Sequence, residues 1–398
     1  MTAEADAIVA GQSAEAEQFH TDRVVTISAG HAVHDTYTAF LPPLLPAFVE
    51  SMSLSNTEAG LLTVFNQAPS LMQPVIGYVA DRVSLRYLVI LTPAVSATAM
   101  SLLGIAPSYA VLAMLLLVTG LSSSVLHAVA PVIAGRMSGT KLGRGMGFWM
   151  VGGELGRTLG PMIIAAYLAV WPDDLSHTPW LMFGGWLASV LLFVRLRDVE
   201  GRPSHTGQEI PWKNALRMMG PLLVPLSGII LVRAFMSAAL TTYLPIFLAD
   251  EGAALWMAGI SLSVLEVAGV AGALLGGSLS DRFGRRAVLF VSLLTTPFLM
   301  LLFLVASGWL RFPLLLVVGF TALSVTPVIM ALVQESCPEN RALANGTYMS
   351  LNFLLRSGVV VVVGAMGDLW GMRMAFVICA LVLLLGLPLL PLLPKRNR

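Results

Sequence analysis

From residue 24 onward the chain reads as long apolar runs separated by short polar turns, the runs beginning near residues 24, 56, 87, 108, 145, 179, 218, 254, 287, 311, 342 and 372. Each is long enough to cross about 30 Å of hydrocarbon as a helix. The runs are continuous rather than alternating, so the pattern predicts helices and not a barrel; a helix satisfies its backbone groups within one segment, as lipid demands. Prolines recur inside the runs, at Pro42, Pro43, Pro46, Pro74, Pro131, Pro161, Pro245 and Pro327. A bundle tolerates them because neighbouring helices re-satisfy the freed backbone groups. The expectation is an all-α integral membrane protein with about 12 transmembrane helices.

One longer polar connection, from about Arg195 to Arg217, divides the runs into two sets of six. The predicted organisation is a disordered tail over 1–22, a six-helix bundle over 23–197, a linker over 198–216 and a second bundle over 217–394. The tail is acidic (Glu4, Asp6, Glu15, Glu17, Asp22) and lacks the basic start and small-residue cleavage site of a signal peptide. The halves repeat each other. Gly77, Asp81, Arg82 and Arg86 recur as Gly277, Asp281, Arg282 and Arg286, with Gly284 and Arg285 added in the second copy. Asp281 follows Asp81 by 200 residues, Glu266 follows Asn66 by 200, and Arg356 follows Arg157 by 199. A repeat at this register predicts two pseudo-symmetric bundles.

Composition narrows the class. Of 398 residues, 57% are hydrophobic and 11% charged, against roughly 25% charged in a soluble domain, which excludes an ordinary soluble enzyme. The net charge of +1 argues against nucleic acid as a partner. Cys337 and Cys379 are far apart, so no disulfide framework or cysteine metal cluster is implied. The chain contains no Gly-x-x-x-x-Gly-Lys-Ser/Thr phosphate loop, which disfavours an ATP-driven pump. No cofactor is expected.

The placement of charge says more than its sum. Arg23, Arg82, Arg86, Arg136, Lys141, Arg144, the linker residues Arg195, Arg197, Arg202, Lys213 and Arg217, then Arg282, Arg285, Arg286, Arg341, Lys395, Arg396 and Arg398 all fall on the side that holds both termini. Only Arg311 and Arg373 fall on the other. The positive-inside bias therefore predicts a multi-pass protein of the cell membrane with both termini cytoplasmic.

Nine ionisable side chains remain inside the apolar runs: Asp35, Glu154, Glu266, His31, His34, His127, Arg157, Arg233 and Arg356. A charge at mid-membrane costs about 3 kcal/mol or more, so these residues are expected to face a cavity or one another. Helical spacing puts His31, His34 and Asp35 on one face of the first run, Glu154 with Arg157 on the fifth, and Asn352 with Arg356 on the eleventh.

Twelve runs in two related halves, the polar middle loop and the repeated Gly-x-x-x-Asp-Arg motif together resemble the major facilitator superfamily, over about residues 24 to 394. The second copy of the motif is complete, whereas the first has Ser84 where glycine is usual. Gly147, Gly156, Gly160 and Pro161 resemble the fifth-helix motif of proton-coupled exporters, with Ile164 and Ala165 in place of its closing glycines. Within the superfamily, His31, His34 and Asp35, the stretch Ser123 to His127, and the stretch Val151 to Pro161 resemble the fosmidomycin-resistance branch. The chain departs from that branch at Glu154 and Arg157, where uncharged polar residues are usual, and at Ala128 and Val129, where a Pro-Glu pair is usual.

The resemblance implies a major facilitator fold in which helices one, four, seven and ten line a central cavity with two, five, eight and eleven beside it. All nine interior ionisable residues then belong to cavity-forming helices. It further implies a proton-coupled secondary transporter working by alternating access, an exporter by the fifth-helix motif, with a proton-coupled importer of an organic anion as the alternative. Arg157, Arg233 and Arg356, with Asn352 and His127, are the expected substrate residues, because a guanidinium fork pairs with planar or tetrahedral anions. Asp35, Glu154 or Glu266 would carry the proton, and His31 and His34 would relay it. Asp81, Arg82, Asp281, Arg282, Arg285 and Arg286 are expected to latch one conformation at the cytoplasmic face. Gly147, Gly152, Gly153, Gly156 and Gly160 stand near small-x-x-x-small spacing, which permits close helix contact. Two rival readings remain open: interior acids and arginines closed into structural ion pairs, and a metal or metal-chelate transporter using His31, His34 and Asp35. The expected partners are a small molecule, protons and the bilayer, with the protein working as a monomer.

Overall fold

The computed structural model describes residues 18–80, 84–139, 142–172, 174–197, 212–336 and 341–393. Most of the predicted tail and linker, and the motif residues Asp81 and Arg82, lie outside them.

Every expected run becomes helix, and no strand occurs among the described residues. The first run forms α1 (Thr21–Thr38) and α2 (Leu41–Met52). It breaks at Ala39 and Phe40 because Pro42 and Pro43 donate no N–H and their rings crowd the carbonyls four residues back. The second forms α3 (Asn56–Gln67), a 3-10 turn over Ala68–Met72, and α4 (Gln73–Ala80). A capping box starts α3: the Ser55 hydroxyl accepts from the Glu58 N–H while the Glu58 carboxylate accepts from the Ser55 N–H. α5 (Arg86–Ser101), α6 (Tyr109–Met137), α7 (Leu142–Val170) and α8 (Met182–Leu196) follow.

The second half comprises α9 (Trp212–Ala238), a π turn over Ala239–Tyr243, α10 (Leu244–Asp250), α11 (Leu255–Phe283), α12 (Arg285–Val305), α13 (Arg311–Leu323), α14 (Val325–Ser336), α15 (Arg341–Trp370) and α16 (Met372–Leu384). The π turn directly precedes Pro245, whose missing N–H would otherwise leave the Thr241 carbonyl without its helical donor. Among the described residues, nine helical stretches are long and apolar enough to cross a membrane. The remaining three expected spans are the broken first and second runs and α7, which carries Glu154 and Arg157 midway.

The described residues form two compact units. One holds residues up to Ala39, Pro69–Gly160 and Leu175–His205; the other holds Phe40–Ala68, Pro161–Asp174 and Thr206 onward. In the first unit Val24 and Ile27 of α1, Ile90 of α5, Leu126 of α6, Trp149 of α7 and Leu192 of α8 share one apolar core. Lipid tails are as apolar as leucine, so burial alone gives helices little reason to associate, and close van der Waals packing must do so. The glycines of α7 supply it. A Cβ on Gly152, Gly156 or Gly160 would run into the carbonyl oxygens of Ser28, Ala32 and Thr36 respectively, so the backbones of α1 and α7 touch along three successive turns. Gly147 departs from that expectation: a Cβ there meets nothing within 4 Å, because the position turns away from α1.

In the second unit the Tyr243 side chain is fully buried and Phe247 stacks on Phe376 with ring centroids 4.7 Å apart. Arg311 and Arg373, the two basic residues that charge counting assigned to the far face, meet on a single carboxylate: Glu251 accepts from Arg311 at 3.1 Å and from Arg373 at 2.7 Å.

Candidate functional site

The close contact of α1 with α7 brings the polar residues of the first unit together. His31, His34 and Asp35 are buried on α1, and His127 reaches them from α6. His31 Nδ1 lies 2.9 Å from the Trp149 carbonyl oxygen, and its ring stacks on the Trp149 indole at 3.8 Å between centroids. His127 Nδ1 lies 2.9 Å from the Ser123 carbonyl oxygen. A carbonyl only accepts, so each Nδ1 carries a hydrogen, and in a neutral ring each Nε2 is then a bare lone pair. The two Nε2 atoms face each other at 3.2 Å.

Asp35 completes the group, with Oδ2 3.3 Å from His31 Nε2 and Oδ1 3.7 Å from His127 Nε2. Ligand atoms of His31, Asp35 and His127 all lie within 4.8 Å of one another, so a small cation placed among them would meet all three. His34 is not in this set. Its Nδ1 lies 3.4 Å from the Thr92 carbonyl oxygen and its Nε2 is buried with no hydrogen-bond partner, so the trio His31, His34 and Asp35 expected from spacing is replaced by His31, Asp35 and His127.

Arg157 and Glu154 pair across one turn of α7, and the Arg157 guanidinium also lies 3.9 Å from Asp35 Oδ2. Arg157 keeps 44% of its side-chain surface open while Asp35 keeps 5%. The pair reaches from the surface of the unit to the buried carboxylate. With the rings neutral, Asp35, Glu154 and Arg157 carry one net negative charge, which a single added proton shared by the two Nε2 atoms would cancel.

The second unit holds the other candidates. Arg233 of α9 donates to the Ala322 carbonyl oxygen at 3.2 Å and hydrogen-bonds the Tyr348 hydroxyl. Arg356 of α15 donates to Thr241 Oγ1 in the π turn at 2.8 Å. Asn352 lies one turn before Arg356, half buried, and Glu266 is half buried on α11. Of the loop motif, Asp281 pairs with Arg285 at 2.7 Å across the break at Gly284, where φ is +92° and a side chain would be strained. Arg282 lies over the Phe283 ring, and Arg286 donates to the Pro391 carbonyl oxygen at 3.3 Å. Pro161 follows Gly160 inside α7 and leaves the Arg157 carbonyl without its helical donor. Sequence reasoning missed Trp149, Tyr348 and Thr241. Trp149 and Thr241 act through a carbonyl or a hydroxyl that carries no sequence signal.

Known proteins resemble this chain along its whole length. It is 26% identical over 403 residues to the Fosmidomycin resistance protein of Escherichia coli (strain K12), covering 98% of both chains. It is 27% identical over 388 residues to the Uncharacterized MFS-type transporter YfnC of Bacillus subtilis (strain 168), covering 94% of this chain and 93% of that one. A bacterial homolog of the human lysosomal transporter Spinster, solved in an inward-facing, unoccupied conformation, shares the fold with a TM-score of 0.78 at 14% identity, over 94% of this chain and 96% of that one. The profile of the Major Facilitator Superfamily matches residues 27–359 and 259–398, and the chain belongs to that superfamily of multi-pass membrane transporters.

Proposed function

We propose that this chain is a proton-coupled exporter of a small organic anion, zwitterion or drug-like molecule, with both termini cytoplasmic and the six-helix halves 23–197 and 217–394 exchanging access by alternation. The observation that carries the reading is the facing pair of Nε2 atoms of His31 and His127, 3.2 Å apart beside the Asp35 carboxylate. Two lone pairs at that distance repel, and one proton between them turns the repulsion into a charge-assisted hydrogen bond balanced by Asp35. Arg157 competes with that proton for Asp35. Substrate at Arg157 and a proton at the histidine pair both act on Asp35, so occupancy of one changes the affinity for the other. Arg233 and Arg356 are the candidate anion residues of the second unit, where a guanidinium fork suits a carboxylate, phosphate or phosphonate. The Fosmidomycin resistance protein among the relatives favours export of a drug-like molecule.

The test is transport in proteoliposomes. With wild-type protein, an imposed pH gradient should drive accumulation of a small phosphonate or carboxylate, and a protonophore should abolish it. Accumulation that ignores the gradient ends the proton-coupled reading.

A further inference from the structure

The face opposite the basic motifs carries a fastening that the charge pattern does not announce. Asp368, in the last turn of α15, accepts from the Asn56 N–H at 2.7 Å, from the Thr57 N–H at 3.0 Å and from the Thr57 hydroxyl at 2.5 Å. Its two oxygens therefore cap the first turn of α3, where backbone donors have no intrahelical partner and the helix dipole favours negative charge. Residues 56 and 57 belong to the first six-helix half and residue 368 to the second, so the carboxylate joins the halves.

Tyr243 makes a second tie at the same place. Its hydroxyl lies 2.8 Å from the Val360 carbonyl oxygen and 3.1 Å from the Asn56 carbonyl oxygen, donating between α15 and α3. The helices can close around it because Gly60 and Gly364 flank the hydroxyl; a Cβ on Gly364 would lie 2.5 Å from Tyr243 Oη and 2.7 Å from the Asn56 carbonyl oxygen. Tyr243 sits at the end of the π turn whose Thr241 receives Arg356. The fastening and a proposed substrate arginine thus meet on one five-residue irregular turn.

We propose that Asp368 is a latch: its carboxylate on the α3 N-terminus, with Tyr243 beside it, holds the extracytoplasmic ends of the halves together in the state open to the cytoplasm, and its release is required for the outward-open state. The inference rests on the alternating-access reading above and on its orientation. The bonds are open to water, so they break and re-form at modest cost, as a cycling latch requires. Substrate at Arg356 would disturb the π turn and, through Tyr243, loosen the latch from within.

The experiment uses the full-length protein in lipid nanodiscs, with both native cysteines replaced by serine and transport retained. Spin labels at Ser53→Cys and Trp309→Cys report the distance across the outer face. Asp368→Asn, which removes the charge and one acceptor, should raise the population at long distance about tenfold, equivalent to ~1.4 kcal/mol. Thr57→Val, which removes one hydroxyl donor and keeps the backbone bonds, should raise it about threefold, and it serves if Asp368→Asn fails to fold. Unchanged distance distributions in a folded Asp368→Asn or Thr57→Val protein overturn the latch. The proton-coupled reading fails separately, if Asp35→Asn leaves gradient-driven transport intact whatever the distances show.

Discussion

His31 and His127 meet Nε2 to Nε2 at 3.2 Å, each with its Nδ1 held by a backbone carbonyl of α7 or α6. Neither ring can relieve the encounter by changing tautomer without giving up its carbonyl. A His127→Gln variant, whose amide can donate to His31 without a proton from solution, should reduce proton-driven transport at least tenfold and leave substrate counterflow measurable. Equal loss of both activities would make His127 a packing residue.

Asp35 faces both rings and Arg157, so neutralising it removes the charge that any added proton must balance. Asp35→Asn should abolish accumulation driven by a pH gradient while exchange of labelled for unlabelled substrate continues. Gradient dependence unchanged from wild type would remove Asp35 from the coupling step.

Arg356 donates from its guanidinium to Thr241 Oγ1, and it is proposed to pair an anion through the guanidinium fork. Lysine keeps the charge and loses the paired donors. Arg356→Lys should weaken anion affinity about tenfold, ~1.4 kcal/mol, read as a rightward shift in ligand-dependent thermal stabilisation. Unaltered affinity would assign Arg356 to holding the π turn.

Gly156→Ala would drive a methyl group into the Ala32 carbonyl, and overpacking of this kind costs about 1–3 kcal/mol. Gly147→Ala meets open space and gains helix propensity, about 0.8–1 kcal/mol in a helix interior. Thermal unfolding in detergent should therefore separate two members of one sequence motif: a lower melting temperature for the first, an equal or higher one for the second.

Glu251 has its carboxyl held below the usual carboxylate range, first by the hydrogen bond from Arg373 and then by Arg311. A depressed pKa in the folded state means stability that is fully present above the unfolded value of about 4.3 and is lost as pH falls through the folded value. The melting temperature should fall on acidification below about pH 4.3, and Glu251→Gln should flatten that part of the profile. A slope identical in the variant would place the acid sensitivity elsewhere.

The helices were legible because lipid leaves a chain few options: twelve apolar runs begin where helices begin. Asp35 and the histidines stood out for the same reason, since an ionisable side chain inside such a run is costly. Which histidines meet was not legible. Spacing on one helix favoured His31 with His34, whereas the crossing of α1 with α6 and α7 places His127 against His31. Asp368 stands at the end of its run with no motif around it; its contacts are to a helix N-terminus 312 residues earlier in the chain. Gly147 matched a motif in spacing, and only the rotation of α7 about its axis shows that it faces away.

The three-turn seam where Gly152, Gly156 and Gly160 lie on the backbone of α1 leaves no room for sliding. His31 and Asp35 on one side, and Trp149, Glu154 and Arg157 on the other, are therefore carried as a single rigid plank. His127 on α6 and the open Arg157 side chain stand outside that seam, so they are the two members of the site that can still change what they face.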